Sequence, residues 1–393
     1  MNKTQIKRDK LTKITYAHIG AINWFIFGVG PAFALLRDDF GVTRTVIAYH
    51  NVVGAIGSIL AGFTSTVLIR KFGRGLLLRG ASFGLSAGTL LFILGTSVTY
   101  TLPGIFLCGY FYVQLVQSNA AFLNYHHGEK APAVVSEANA LGALIGFIAP
   151  ILLGVGIAAG FGWRAGLGIT VIALLSVEIW RGRNVKAFGS AKKIEDSKEH
   201  DLPGKLPITF WPAWLALAGT AAIEASIMTW GSELLNFQSG LNKASATAAI
   251  GTIVLGMGIG RLFGSRIMAS RNVETLYKQS LVLSLIAFIF FWFGSNQILQ
   301  LTSLTLMGLI MSVHFPLGIT RLMRASNGRP DKAAAMSSIG AGAAAGFFPF
   351  LVGSAADSNG VVIAFAIPGA ALALALISSI IFPVAINQPR ENL

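Results

Sequence analysis

The chain has 393 residues, of which 54% are hydrophobic and only 12% are charged, and its mean hydropathy is +0.67. A soluble domain averages about 25% charged residues, so this composition excludes an ordinary soluble protein and indicates a membrane protein. The formal net charge of +14 has two explanations, a nucleic-acid partner or a signal for membrane topology. The positions of the basic residues decide between them.

Twelve segments of the chain have the length and apolarity of membrane-spanning helices, which need about 20 mostly apolar residues. The sequence therefore predicts an all-α membrane protein with twelve transmembrane helices. The first segment is longer than the apolar region of a secretory signal peptide, so we expect it to be retained as a helix. In chain order, the predicted spans are residues 14–36, 44–68, 76–97, 99–123, 132–160, 164–182, 208–236, 245–268, 277–294, 297–320, 333–355 and 360–386.

The basic residues are distributed unevenly between the two sides of the predicted spans. If the N-terminus is cytoplasmic, 25 of them lie in cytoplasmic segments, whereas only Arg37, Arg44, Arg164 and Lys243 lie outside and Arg261 lies within a span. This bias is what the positive-inside rule predicts for twelve spans with both ends in the cytoplasm. The positive charge therefore sets topology, and we expect no nucleic-acid partner. We expect an integral protein of the bacterial inner (plasma) membrane.

A polar stretch at residues 181–207 divides the twelve spans into two sets of six. The predicted domains are an N-terminal six-helix bundle (1–182), a cytoplasmic linker (183–207) and a C-terminal six-helix bundle (208–393). Pro150 and Pro349 lie 199 residues apart, each in a Pro-x-Leu-x-Gly sequence within an apolar span. A proline inside a helix removes a backbone hydrogen bond and bends the helix. The matched bends predict two pseudo-symmetric bundles, with a solute site where they meet.

Over nearly its whole length the chain resembles the major facilitator superfamily of transporters. The resemblance rests on "RKFGRG" (70–75) after the second span, "GMGIGRLFGSRIMASR" (256–271) at the matching place in the eighth, and "GWR" (162–164). Arg70 stands where the family has an aspartate, and the arginine common in the fourth span is absent, which departs from the drug/proton antiporters. The resemblance implies two six-helix bundles and transport of a small molecule by alternating access.

Glu224 lies near the middle of the seventh span, where an ionised carboxylate costs about 2.5 kcal/mol or more unless it faces a cavity or a partner. Together with Ser226 and Trp230 it resembles the seventh span of the fucose/glucose-type proton symporters. "HFPLGITRL" (314–322), which begins at His314, resembles their tenth span. This resemblance implies a sugar-like solute, with Glu224 as substrate ligand and proton-coupling group and Trp230 against the sugar ring. A structural hydrogen bond to a neighbouring helix is the alternative role for Glu224.

The symporters' acidic residues in the first and fourth spans have no counterparts here, so proton coupling stays open. Those spans offer amide and imidazole side chains instead. Each candidate histidine has a packing role as its alternative. The candidate substrate-binding residues are Glu224, Trp230, His314, Asn23, Gln114 and His18.

Arg261 is the basic residue that lies well inside a span, and two roles are open for it. It could bind the carboxylate of an anionic substrate with both arms of its guanidinium. It could also be a structural member of the eighth-span signature, with its head reaching the cytoplasmic surface.

The sequence carries no signature of an enzyme. It has one cysteine, Cys108, and no pattern of metal ligands or of a nucleophile with its base. We therefore expect no enzyme activity, no cofactor and no metal, and we expect a monomer in the lipid bilayer. The leading hypothesis is a secondary transporter for a small polar, sugar-like solute, with proton coupling left open. The alternatives are an organic-anion or monocarboxylate carrier that uses Arg261, an efflux carrier, and a membrane sensor that binds without transporting.

Overall fold

The computed structural model describes residues 8–189 and 204–384, and the regular elements in those ranges are all helical. Two short 3-10 helices, Gly128–Lys130 and Asn184–Phe188, accompany the α-helices. The α-helices are α1 (Lys10–Phe40), α2 (Arg44–Phe72), α3 (Arg74–Leu94), α4 (Val98–His127), α5 (Ala131–Ala158), α6 (Gly162–Arg181), α7 (Phe210–Ser239), α8 (Lys243–Ala249), α9 (Gly251–Ser270), α10 (Val273–Phe293), α11 (Gln297–Met311), α12 (His314–Ala325), α13 (Pro330–Asn359), α14 (Val361–Ala364) and α15 (Ala366–Ile381).

The helices of the described residues account for all twelve predicted spans. Ten stretches are long and apolar enough to cross a membrane by length and composition. The other two spans, α4 and α7, have 30 residues each, which at 1.5 Å per residue gives about 45 Å, more than the roughly 30 Å core of a bilayer. Three spans are pairs of helices with a short break between them: α8 with α9, α11 with α12, and α14 with α15. The prediction of an all-α membrane protein with twelve transmembrane helices is confirmed.

The first two helices of each half are joined by the same kind of turn. Gly41 ends α1 with a φ of 62°, and Gly240 ends α7 with a φ of 67°, a left-handed conformation that favours glycine. Two residues later, the side chains of Thr43 and Asn242 cap α2 and α8 by accepting hydrogen bonds from backbone N–H groups. Gly41 and Gly240 are 199 residues apart, and so are Thr43 and Asn242; Pro150 and Pro349 have the same spacing.

The second and fourth spans of each half are in close contact at glycines that obey the same spacing. A Cβ added at Gly57 on α2 would collide with the carbonyl oxygen of Phe106 on α4. In the other half, a Cβ added at Gly256 on α9 would collide with the carbonyl oxygen of Thr305 on α11. Small residues let helix backbones approach each other in a membrane, and here they do so at equivalent positions.

The reverse contact across each of these helix pairs is also repeated. A side chain at Gly109 would collide with the backbone carbonyl of Gly54, and one at Gly308 would collide with that of Ile253. Both members of the contact are again shifted by 199 residues. The two bundles, α1 to α6 and α7 to α15, are therefore pseudo-symmetric down to individual backbone contacts.

The bundles meet along three sets of helices. They are α1 with α7, α2 with α13, and α5 with α8 and α9. The contacts are close where small residues lie, because Gly30 packs against Met228 and Gly353 packs against Ala48. These three contact surfaces frame the space in which a solute site is expected.

The predicted linker (183–207) lies partly outside the described residues. Its first part forms the 3-10 helix Asn184–Phe188 and is attached to the start of α3 by a hydrogen bond from the Gly75 N–H to the Gly189 carbonyl oxygen (3.1 Å). The predicted domain boundaries, 1–182, 183–207 and 208–393, stay predictions.

Candidate solute-binding cavity

A cavity of about 740 Å³ lies between the two bundles. α1, α2 and α4 of the first half and α12 and α13 of the second supply its walls, which are mostly aromatic and aliphatic. We call it the central cavity. Its polar side chains are His50, Asn51, Ser58, Tyr112, Gln117 and Ser338.

Glu224, Arg261 and Tyr112 come together from α7, α9 and α4. Each lies deep among protein atoms and within electrostatic range of the other two. Each is nevertheless partly exposed, as a side chain beside an internal cavity is. Tyr112 also lines the central cavity, so this cluster adjoins it. Among the described residues, none forms a hydrogen bond or a close ion pair with Glu224 or Arg261.

Ion pairs join the two halves at the end of the molecule where α1 ends and α2 begins. Arg37 Nη1 lies 2.7 Å from Glu233 Oε2, and Arg44 contacts the other oxygen of the same carboxylate. Lys243 Nζ lies 2.5 Å from Asp38 Oδ2. Because each pair links a helix of one half to a helix of the other, together they hold this end closed.

Asp357 on α13 adds a further link at the closed end. Its carboxylate accepts hydrogen bonds from the backbone N–H groups of Arg44 (3.0 Å) and Thr45 (2.8 Å) and from the Thr45 hydroxyl (2.7 Å). These N–H groups belong to the first turn of α2, which attracts negative charge. α13 therefore holds the start of α2 from the opposite bundle.

The central cavity extends away from the closed end. It follows α2 from His50 to Phe63 and α13 from Ala345 back to Ala334.

The far end carries the start of α1, where Asp9 caps the helix. Burial acts to raise the pKa of Asp9, but hydrogen bonds from Thr12 and His126 outweigh it and hold the pKa below its usual range.

Two predicted site residues in the first half are held by hydrogen bonds within the protein. The amide of Gln114 donates to the Ala61 carbonyl oxygen (3.2 Å) and accepts from the Ser65 hydroxyl (2.8 Å). Asn23 is half-buried and donates to the Ile19 carbonyl oxygen of its own helix (2.8 Å). Neither lines the central cavity.

His18 is fully buried in a polar chain within the first bundle. Its Nδ1 lies 3.0 Å from Arg181 Nη2 and so must accept a hydrogen bond. Nε2 then carries the proton and donates to the Ser82 hydroxyl (3.0 Å), which donates to Glu178 Oε1 (2.8 Å). This arrangement fixes His18 as the neutral Nε2–H tautomer and uses both of its nitrogens.

Trp230 and His314 are also held by hydrogen bonds within the protein. Trp230 is 1% exposed and its indole N–H donates to the Pro349 carbonyl oxygen (2.8 Å), which is the carbonyl of the predicted helix bend. His314 is 3% exposed and lies 3.3 Å from the Ser284 hydroxyl. None of the predicted site residues lines the central cavity. Glu224 and Arg261 lie within electrostatic range of Tyr112, which does line it, whereas His18, Asn23, Gln114, Trp230 and His314 lie in the helix packing.

None of the six polar side chains of the cavity wall is among the predicted site residues, and two of the six, Asn51 and Tyr112, bear on the candidate site. Asn51 carries a usable signal, because an amide inside an otherwise apolar span is uncommon and needs a partner. Tyr112 carries a weaker signal: it lies near the middle of α4, away from the membrane surfaces where tyrosines are common. Its place beside Glu224 depends on how α4 packs.

The family model of the Major Facilitator Superfamily matches residues 17–325. The chain therefore belongs to this superfamily, and the twelve-helix fold in two bundles is the fold of its transporters. Comparison with curated proteins gave no match.

Solved structures of three transporters share this fold at low sequence identity. The nucleoside transporter NupG has a TM-score of 0.73 at 11% identity, with 95% of this chain and 98% of that chain covered. A bacterial homologue of the human lysosomal transporter Spinster has a TM-score of 0.70 at 12% identity, covering 96% and 97%. The E. coli fucose:proton symporter FucP has a TM-score of 0.61 at 14% identity, covering 96% and 98%.

Proposed function

We propose that this protein is a secondary transporter that moves a small polar organic solute across the membrane by alternating access, coupled to protons through Glu224. Membership of the superfamily supports transport, and it agrees with the prediction that the chain is not an enzyme. The substrate class and the coupling rest on the cavity.

One observation carries the coupling: Glu224 lies inside the membrane without a hydrogen-bond partner among the described residues. A buried structural carboxylate would be satisfied by neighbouring donors. Glu224 instead lies within electrostatic range of Arg261 and of Tyr112, which lines the central cavity. A carboxylate in this position can take up a proton from the cavity and release it again when its surroundings change.

The closed end and the direction of the cavity support an inward-facing state. By the positive-inside rule the end with Arg37, Arg44 and Lys243 is the outer end. The ion pairs to Glu233 and Asp38 hold that end shut, and the central cavity extends toward the cytoplasmic side. Opening toward the outside requires these pairs to separate.

The size of the central cavity, about 740 Å³, supports a solute of monosaccharide or nucleoside dimensions, within the usual range for small-molecule sites. Aromatic walls with a few polar groups suit a ring that has one apolar face. Two of the solved structures of the same fold are named as a fucose:proton symporter and a nucleoside transporter. We propose a sugar-like solute first.

Arg261 supports a second candidate, an organic anion. Arg261 is partly exposed, and no described residue accepts a hydrogen bond from its guanidinium. It is therefore free to bind a carboxylate with two parallel hydrogen bonds. In this version the solute is a monocarboxylate, and a protonated Glu224 leaves the loaded site neutral.

Counterflow in proteoliposomes tests the proposal. Purified protein is reconstituted and loaded with unlabelled L-fucose, D-glucose, uridine or L-lactate, and uptake of the same labelled solute is followed. We expect saturable counterflow with a sugar or nucleoside, and its stimulation by an inwardly directed proton gradient. Counterflow with lactate alone would favour the anion carrier, and binding without counterflow would indicate a sensor.

A further inference from the structure

Thr229 on α7 and Asn51 on α2 form a hydrogen bond between the two bundles. The Thr229 hydroxyl donates to the Asn51 side-chain carbonyl oxygen (3.2 Å). Other hydroxyls on α7 donate to backbone carbonyls of their own helix, as Thr220 and Ser239 do. Thr229 differs from them, because its hydroxyl donates to a side chain of the opposite half.

The other end of the Asn51 amide has no partner within the described part of the chain. Its Nδ2 is buried and unsatisfied, although the side chain lies in the wall of the central cavity. Buried amide groups are nearly always hydrogen-bonded, so an unsatisfied one in a cavity wall is a candidate contact for a ligand. A ligand atom that binds Nδ2 must be an acceptor, because Nδ2 can only donate.

Asn51 and Glu224 lie at different depths along the spans. Thr229 lies five residues after Glu224 on α7, which corresponds to about 7.5 Å along the helix axis. Asn51 therefore lies nearer to the closed end than Glu224 does.

We propose that Asn51 binds the solute through Nδ2, by donating a hydrogen bond to a hydroxyl, carbonyl or carboxylate oxygen, while Oδ1 holds Thr229 of the opposite bundle. This inference rests on the proposed function and adds a second polar contact, after Glu224, to the proposed solute site. The Thr229 hydroxyl fixes the orientation of the amide and leaves Nδ2 as the group of Asn51 that can bind the solute. Thr229 is thus a positioning residue, and the solute is linked through one side chain to the contact between the halves.

The test measures solute affinity in four variants of the full-length protein. The probe is whichever of L-fucose, D-glucose, uridine and L-lactate gives saturable counterflow with the unmodified protein. Asn51→Asp keeps an acceptor for Thr229 but removes the amide donor, and Asn51→Leu removes both groups at similar volume. Each should weaken binding about tenfold, the effect of losing one hydrogen bond. Thr229→Val should weaken it about threefold, and Thr305→Val, whose hydroxyl bonds only its own helix, should leave affinity unchanged.

A double-mutant cycle separates positioning from a general packing effect. If Thr229 acts through Asn51, adding Thr229→Val to Asn51→Leu should cause no further loss of affinity, because the amide it orients is gone. Additive losses, or unmodified affinity in both Asn51 variants, would overturn the inference while leaving the transporter proposal intact. No counterflow by the unmodified protein with any probe would instead contradict the proposed function, and the inference with it. Melting temperatures in detergent identify any variant that fails to fold. If Asn51→Leu is such a variant, the affinity of Asn51→Asp decides whether Asn51 binds the solute.

Discussion

Arg44 and Lys243 occupy equivalent positions in the two halves, 199 residues apart, and each forms an ion pair with an acidic residue of the opposite half. Each is the first residue of its helix, α2 or α8. Arg44 contacts Glu233 near the end of α7, and Lys243 contacts Asp38 near the end of α1. The pseudo-symmetry of the fold therefore produces a reciprocal pair of links across the closed end.

Removing both links should favour opening of this end, although the Arg37–Glu233 pair and the Asp357 hydrogen bonds remain. Partly exposed ion pairs contribute up to about 1 kcal/mol each. Arg44→Gln with Lys243→Gln should therefore raise the ratio of molecules open at this end to molecules closed there by up to roughly 30-fold. Ala48 is fully buried where α2 meets α13. In a Cys108→Ser background, labelling of Ala48→Cys by a membrane-impermeant maleimide should rise in the double variant.

The control for this experiment is Arg164→Gln. Arg164 pairs with Asp39 of its own half, so its loss should leave labelling of the cysteine unchanged. Equal labelling of all three proteins would show that the ion pairs do not hold the end closed. Labelling only from the cytoplasmic side would contradict the topology.

Glu224→Gln should abolish uphill accumulation while solute exchange continues. Glutamine keeps the shape and hydrogen-bonding capacity of the side chain but cannot take up a proton. The measurement is uptake into proteoliposomes with an imposed pH gradient, compared with counterflow in the same preparation. Glu137→Gln is the control, because Glu137 pairs with Arg8 outside the cavity. Unchanged uphill uptake by Glu224→Gln would show that another group carries the proton.

Arg261→Lys separates the sugar and anion candidates. If Arg261 binds a carboxylate, lysine should reduce anion binding at least tenfold, because the planar fork is lost. If the solute is sugar-like, affinity should change little. The measurement is the binding constant for L-lactate and for L-fucose. Near-normal lactate binding by the variant would remove the anion-binding role.

Arg321→Lys is a useful comparison for that experiment. Arg321 forms two hydrogen bonds with Glu274, of 2.7 and 3.0 Å, and is buried. Its replacement should lower the melting temperature without altering the preference between the two solutes.

Gly57→Ala and Gly256→Ala should destabilise the protein by similar amounts. In both cases the new methyl group meets a backbone carbonyl of the neighbouring span, and overpacking of this kind costs about 1–3 kcal/mol. Gly80 is the control, since a Cβ there meets nothing within 4 Å, and Gly80→Ala in a helix should be neutral or stabilising. Thermal unfolding in detergent measures all three. A large difference between the first two would contradict the equivalence of the halves.

The sequence by itself determined the architecture of this protein. Span number, helical class and pseudo-symmetry follow from apolar segments of bilayer length and from features repeated after 199 residues, such as Pro150 and Pro349. They can be predicted because a bilayer forces every backbone polar group of a span into a helix, whatever the partner helices are. The sequence singles out Glu224 as a candidate for a related reason, since a carboxylate at that depth needs a cavity or a partner.

Only the tertiary structure decided which polar side chains adjoin the cavity. His18, Gln114 and Trp230 looked as suitable as Asn51 in the sequence, but each is satisfied by a neighbouring helix, through Arg181, Ser65 and the Pro349 carbonyl oxygen. The helical period fixes which residues of one helix share a face. It does not fix what that face meets, because the orientation of each helix depends on the packing of all its neighbours, and glycine contacts far along the chain set that packing.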